Sequence, residues 1–325
     1  MKGFCEAAKQ SLDVAIYDVR LHGAVADCVT GAIVGAAERG VAVRLVYNLD
    51  HPGRGKGPPP PETEPELVES LPVPTRAVPG VPDLMHHKYV VRDGEAVWTG
   101  STNWTEDSWS REENVIVRVA SRELAAAYTL DFEQLWQTRD VARGGRVAPT
   151  AVQVDGKPVR PWFCPKRGSR LAHRIADAIG HAERRIRIAS PVITSGPILG
   201  TLAEVVTDGR VDVAGVVDAT QIHEVLAQWA QNTGGSWKTP SLVRALTGAP
   251  FSGKHSTPYA PGSVHDYMHA KTTICDDTVF VGSFNLSHSG EMNAENVLEI
   301  ADAELAERLA AYVDEVRARY PAVAL

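Results

Sequence analysis

The sequence predicts an α/β protein built as two similar α/β/α lobes, with its functional site where the lobes meet. Three observations predict it. The chain has 325 residues, room for two domains of ordinary size. A motif occurs twice, once in each half, and strands and helices flank both copies in the same order.

The order begins in the first half with Ala8–Tyr17, a helix end running into an apolar strand. A helix over Ala24–Arg39 follows, with Val25, Cys28, Val29, Ala32 and Ala36 at helical spacing, and then a strand over Val41–Tyr47. The second half repeats this as a strand within Ala182–Ser190, a helix over Ile198–Thr207 and a strand over Val211–Val217. Helices near Ser121–Trp136 and Asp302–Tyr320 close the halves. Right-handed crossovers are expected. The insertion His51–Asp83 holds Pro58 to Pro61 and few large apolar residues, which predicts an extended surface loop. The matching insertion Ala219–Tyr267 holds a helix over Gln221–Gln231 and the aromatic residues Trp229, Trp237, Tyr259 and Tyr267. A Gly- and Pro-rich stretch between the halves predicts lobes at 1–145 and 166–325, joined by a linker at 146–165.

The motif reads Met-His-x-Lys, four residues, Asp, five or six residues, Gly-Ser-x-Asn, from Met85 and again from Met268. Downstream, Glu113-Asn114-Val115 matches Glu295-Asn296-Val297 when spacing is counted from Asn103 and Asn285. Alternation along a strand puts His86 and Lys88 on one face and His87 and Tyr89 on the other, and His269 shares a face with Lys271. An imidazole beside an ammonium makes half a phosphate site. Gly100 and Gly282 permit close backbone approach. The hydroxyls of Ser101 and Ser283 and the amides of Asn103 and Asn285 offer hydrogen bonds to phosphoryl oxygens. Two such half-sites facing each other supply cations for the equatorial oxygens, an in-line nucleophile and an acid for the leaving oxygen, without a metal or other cofactor.

Composition sets the bounds. The net charge of −7 weighs against binding through nucleic-acid phosphates, although a local basic groove stays compatible with it. Cys5, Cys28, Cys164 and Cys275 form no CxxC pair, so free, mostly buried thiols are expected and a zinc site is not. No stretch has the apolar length of a membrane helix and the first residues do not read as a secretory leader. The expected location is cytoplasmic, with secretion after removal of a leader left open.

The doubled His-x-Lys-x4-Asp and Gly-Ser-x-Asn pattern resembles the phospholipase D superfamily. His86, Lys88, Asp93, Gly100, Ser101 and Asn103 match it in the first half, and His269, Lys271, Asp276, Gly282, Ser283 and Asn285 in the second. The resemblance implies a phosphohistidine intermediate, with His86 as nucleophile and His269 as acid and then base. It implies Glu113 and Glu295 as acceptors that hold the imidazoles. Asp93 and Asp276 are expected to brace the lobes. The chain is shorter than the family's larger secreted phospholipases. The expected activity is cleavage of a phospholipid or small phosphodiester, with transfer to water or an alcohol and with Trp229, Trp237 and Tyr267 lining the substrate mouth. An endonuclease, supported by basic clusters at Arg54/Lys56, Lys166/Arg167/Arg170 and Arg184/Arg185/Arg187, is the alternative. A non-catalytic phosphate-binding scaffold is the third reading. A duplicated chain holds both half-sites, so a monomer suffices, and no stable membrane insertion is expected.

Overall fold

The computed structural model describes residues 1–49, 64–231, 233–260 and 262–325. The first sheet has six strands, in the spatial order Thr75–Pro79, Ala42–Leu49, Ser11–Ile16, Lys88–Arg92, Ala96–Gly100, Ile116–Ala120. The second repeats this order as Phe251–Lys254, Asp212–Asp218, Arg185–Ala189, Thr272–Cys275, Thr278–Gly282, Asn296–Ala301. In each sheet the first three strands run parallel and the motif strands antiparallel. The halves are therefore copies of one mixed α/β unit.

Local sequence accounts for the framing helices. Arg122–Thr138 starts where the Ser121 hydroxyl accepts from the Leu124 N–H (3.2 Å), and Ala303–Ala318 where Asp302 accepts from Glu304 and Leu305. Tyr128 and Phe132 of the first and Val313 and Val316 of the second join one apolar cluster with Val46, Val216, Ile274 and Leu298, which draws on both sheets. Each lobe has a further cluster of its own on the outer face. Helix Gly23–Glu38 buries Val29, Ala32, Ile33 and Ala36, whereas Val25 and Cys28 are exposed. Its inward stripe is thus rotated from the one expected. The other three cysteines are buried and free.

Two segments carry more structure than the sequence suggested. Within the expected surface loop, residues 51–63, and with them the proline run and Arg54/Lys56, lie outside the described residues. The rest contains helix Pro65–Glu69 and strand Thr75–Pro79, ordered because Val68 and Val78 bury against the first lobe. The segment expected as a linker holds strands Val152–Val154 and Lys157–Phe163, and the latter pairs with Asn296–Ala301. Its Val159, Trp162 and Phe163 are buried, which ties it to the second sheet.

Asp93 and Asp276 hold the two lobes' first strands in the same way. The carboxylate of Asp93 accepts from the backbone N–H groups of Lys9, Gln10 and Ser11 at 2.6–3.1 Å. That of Asp276 accepts from Glu183, Arg184 and Arg185 at 2.8–3.0 Å. Burial raises both pKa values, but the three N–H donors outweigh it and hold each carboxyl below its ordinary value. Gly100 and Gly282 are required by proximity: an added Cβ would lie 2.1 Å from Val115 O and 2.0 Å from Asn296 O, respectively.

Candidate active site

The two motif copies meet across the lobe boundary through matched bridges, Met85 with Ala294 and Met268 with Glu113. The His86 N–H donates to Ala294 O (2.9 Å) and the His269 N–H to Glu113 O (3.1 Å). His86, Lys88, Asn103, His269 and Lys271 are all buried. Each lysine folds back onto its own motif, Lys88 Nζ donating to His86 O (2.8 Å) and Lys271 Nζ to His269 O (2.6 Å). The side-chain Oδ1 atoms of Asn103 and Asn285 are buried without a hydrogen bond in the protein.

The electrostatics tie the halves into one site. Burial first, then the ammoniums of both Lys88 and Lys271, push the His86 and His269 pKa values well below their ordinary value. Burial lowers Lys88 to about 7 against the pull of Glu295, and depresses Lys271 as well, with Lys88 adding to the effect. Burial raises Glu295 to about 7 while Lys88 opposes it. Two lysines and two neutral imidazoles held in one buried space suit a phosphate anion, which would favour the ammonium form of both lysines and relieve the repulsion between them.

The half-sites differ in what holds the imidazoles. His86 Nδ1 lies 2.8 and 2.9 Å from the two oxygens of Glu295, which belongs to the other lobe. His269 Nδ1 lies 3.1 Å from the Asn114 amide oxygen and 3.2 Å from Glu112 Oε2. Glu113, expected in this place, instead pairs with Lys254 Nζ (2.7 Å) and accepts from the Tyr320 hydroxyl. The reason is one extra residue after Asn103 in the first half. In space Glu113 matches Ala294, so Asn114 takes the place of Glu295 and Glu112 that of Asn293. The Glu-Asn pair is thus exchanged between the halves. Two consecutive glutamates and the Ser101–Asn114 separation, one longer than Ser283–Glu295, were the signals for this shift.

The motif serines act behind the imidazoles. Ser283 Oγ donates to Glu295 (2.5 Å) and accepts from the Asn296 N–H; Ser101 Oγ donates to Asn114 (2.6 Å) and accepts from the Val115 N–H. Both serines are fully buried. Their hydroxyl hydrogens are committed to orienting the groups that hold the histidines, which differs from the substrate contact expected of them.

On the opposite strand face, His87 Nδ1 lies 3.2 Å from Asn296 Oδ1. His87 Nε2 lies 3.0 Å from an Asp131 carboxylate oxygen, without hydrogen-bond alignment. Asn296 Nδ2 donates to Thr99 (2.6 Å) and Tyr128 (3.1 Å), and the Tyr89 hydroxyl donates to Asp131. This buried polar cluster stands behind the His86–Glu295 pair and joins the same two lobes.

A cleft of about 350 Å³ has Tyr267 and Tyr259 among its walls. Trp229 and Trp237, expected at the substrate mouth, do not line it. Lys238 Nζ sits over both rings, 5.9 and 5.6 Å from their centroids, and Trp237 is 67% exposed. The basic cluster at 184–187 is neutralised: Arg184 pairs with Asp277, Arg185 with Glu307, and Arg187 with Asp212 and Asp314. Arg170 lies over the Trp162 ring. Among the described residues no helix is long and apolar enough to cross a membrane.

Comparisons with known proteins agree with this duplicated architecture. A family model described as "Cardiolipin synthase, PLD-like domain" matches residues 3–136 and 175–317, most of the chain. The chain is 44% identical over 59 residues to a mitochondrial cardiolipin hydrolase of Xenopus tropicalis and 42% identical over 59 residues to that of Xenopus laevis. Each match spans 18% of this chain and 28% of the relative. Among solved structures, the phosphatidylserine synthase of Haemophilus influenzae superposes with a TM-score of 0.66 at 15% identity, covering 98% of this chain and 82% of that one. At that identity the likeness is one of fold.

Proposed function

This chain belongs to the phospholipase D superfamily and is an enzyme of the phosphodiesterase type; from that premise we propose that it cleaves a phospholipid or small phosphodiester through a phosphohistidine formed on His86. The observation that carries the reading is the pair of buried imidazoles, one from each lobe, both under the charge of both lysines.

Glu295 accepts from His86 Nδ1–H and leaves Nε2 as the nucleophile. Nε2 attacks phosphorus, the bond from phosphorus to the leaving oxygen breaks, and His269 delivers its proton to that oxygen. The phosphodiester anion offsets the Lys88 and Lys271 charges, so His269 holds this proton once substrate is bound. The phosphorylated His86 ring is cationic and keeps its Nδ1–H, which the Glu295 carboxylate stabilises. His269 then takes a proton from water or an alcohol, that oxygen attacks phosphorus, and the P–N bond breaks. The lysine ammoniums and the Asn103 and Asn285 amides hold the equatorial oxygens. The two histidines divide the roles because His86 Nδ1 faces both oxygens of Glu295, whereas His269 Nδ1 meets the Asn114 amide oxygen and a single oxygen of Glu112; each carboxylate also accepts from one serine and one asparagine.

Lipid-type substrates are favoured over nucleic acid by the acidic charge balance and by the neutralised arginines at 184–187. The relatives named cardiolipin hydrolase point the same way. The test is a panel of phosphatidylcholine, phosphatidylglycerol and cardiolipin vesicles, bis(4-nitrophenyl) phosphate, and single-stranded DNA and RNA, assayed in EDTA with wild type and His86→Ala. Headgroup release by wild type, absent from the variant, is expected. Cleavage confined to the nucleic acids would overturn the lipid reading, and release that survives His86→Ala would overturn the mechanism.

A further inference from the structure

One aromatic ring touches both reacting groups of the first half-site. Tyr17 directly follows strand Ser11–Ile16 and is buried. Its N–H donates to His87 O (2.8 Å). The Trp104 N–H, one residue past Asn103, donates to Asp18 O (3.0 Å). The Tyr17-Asp18 segment is thus pinned to both motif stretches of its own lobe. The Tyr17 ring meets the His86 ring edge-on, with centroids 4.6 Å apart. Lys88 Nζ stands 4.7 Å from the centroid of the same ring. Lys88 is fully buried and rests on the His86 carbonyl (2.8 Å) and on this ring.

The second half has no such ring. The pairing of Val19 with Trp104 is repeated there by Ile193 with Leu286, each partner one residue past its motif asparagine. Tyr17 and Asp18 therefore correspond to Pro191 and Val192. At this place Lys271 has neither an aromatic face nor a carboxylate. The charged groups facing Lys88 are Asp18, which Arg20 holds at 2.9–3.2 Å, Glu112 of the same lobe, and Glu295 and Lys271 from the other. A ring face attracts an ammonium far more than a neutral amine, most strongly where water is excluded. A lysine that must meet an oxyanion in a dry space sheds its proton unless neighbouring groups offset its desolvation.

We propose that Tyr17 is a positioning residue of the first half-site, its ring face holding Lys88 as an ammonium beside His86 so that an entering oxyanion meets a charge already in place. The proposal rests on the reading of one phosphate site between the two lysines and divides their work: Lys88 is kept charged before substrate arrives, and Lys271 gains its full charge with the anion. The ring acts through Lys88 and the plane of His86, not by touching the reacting phosphorus.

The experiment compares wild type with Tyr17→Phe, which keeps the ring face, and with Tyr17→Leu and Tyr17→Met, which remove it. Intact protein is titrated calorimetrically with inorganic sulfate, whose charge does not change between pH 6 and 8, and kcat/KM for bis(4-nitrophenyl) phosphate is measured at the same two pH values. Burial already lowers Lys88 to about 7. Loss of the ring should lower it further, so the charge disappears at lower pH. The ringless variants should bind sulfate within about twofold of wild type at pH 6 and about tenfold more weakly at pH 8, with the same ratios in kcat/KM, while Tyr17→Phe follows wild type at both. A loss equal at the two pH values marks a merely structural role and overturns the proposal. So does Tyr17→Phe behaving like the ringless variants, or ringless variants that match wild type at pH 8. The expected sulfate pattern in a protein that cleaves no diester would uphold the role of Tyr17 and refute the phosphodiesterase reading instead.

Discussion

In the first half-site the imidazole faces both oxygens of one carboxylate from the other lobe; in the second it is shared between an amide oxygen and a single carboxylate oxygen, also from the other lobe. Backbone, lysine, asparagine, serine and glycine repeat almost without change between them. What the difference teaches is that a duplicated scaffold can distinguish two identical side chains by exchanging one Glu and one Asn behind them. A symmetric pair of histidines would have no fixed nucleophile. On the proposed mechanism the exchange sets one, because a ring facing both oxygens of a carboxylate is favoured as the one that becomes cationic on phosphorylation.

The largest break in this comparison comes from removing each imidazole in turn. His86→Ala should lower turnover at least ~10⁴-fold on every substrate, since no covalent intermediate forms. His269→Ala should cost about 10²–10⁴-fold with a poor alkoxide leaving group and much less in the first step with 4-nitrophenolate, which needs no acid. Burst kinetics with bis(4-nitrophenyl) phosphate read both effects. Equal losses on both substrates for both variants would erase the proposed division of roles.

Next come the groups behind the rings. Glu295→Gln should lower kcat about 10²-fold, whereas Glu112→Gln should cost about tenfold or less, on the usual scale for a group that orients and stabilises a catalytic imidazole. A larger loss for Glu112→Gln would reverse the assignment. The exchange itself was only half legible in the sequence. The motif repeat gave His86, Lys88, His269 and Lys271, and alternation put each His-Lys pair on one strand face. Counting from Asn103 led to Glu113, because an insertion of one residue shifts every later side chain without altering the letters of the match. Ser101 and Ser283 read equally well as phosphate donors until the short contacts to Asn114 and Glu295 committed their hydrogens. The fold was legible wherever a strand and a helix alternated with clear apolar spacing. It was not where short apolar runs sat among prolines: Thr75–Pro79 and Lys157–Phe163 are ordered by pairing with distant strands, which local composition does not reveal.

The pH dependence sharpens the comparison further. Glu295 is raised to about 7 by burial, so its carboxylate is lost as pH falls below that value; Lys88 is lowered to about 7, so its charge is lost as pH rises above it. The profile of kcat/KM, which reports free enzyme, should be a narrow bell near neutrality. A bound phosphate anion raises both groups, so the kcat profile should lie at higher pH than that of kcat/KM. Coincident profiles, or a flat response between pH 5 and 9, would contradict a shared phosphate site between the lysines.

A smaller effect is expected from the polar cluster behind the first half-site. Asp131→Asn removes the carboxylate that faces His87 and accepts from the Tyr89 hydroxyl, and should lower stability by about 1–3 kcal/mol, with kcat reduced several-fold through the His86–Glu295 geometry. Chemical denaturation and single-turnover kinetics check the two parts. The smallest effect on turnover should come from Asp93→Ala, which removes the acceptor for three backbone N–H groups far along the strand from His86. A stability loss of about 1 kcal/mol with unchanged kcat is expected, the exposure of the carboxylate limiting the value of its hydrogen bonds.

The central claim is that the exchanged Glu-Asn pair makes His86 the nucleophile. Rapid quenching of a phosphorus-labelled substrate at alkaline pH, followed by peptide mapping in wild type and His269→Ala, tests it most directly. Label on the peptide containing His86, accumulating in the variant, is the predicted result; label on the peptide containing His269 in wild type would contradict it.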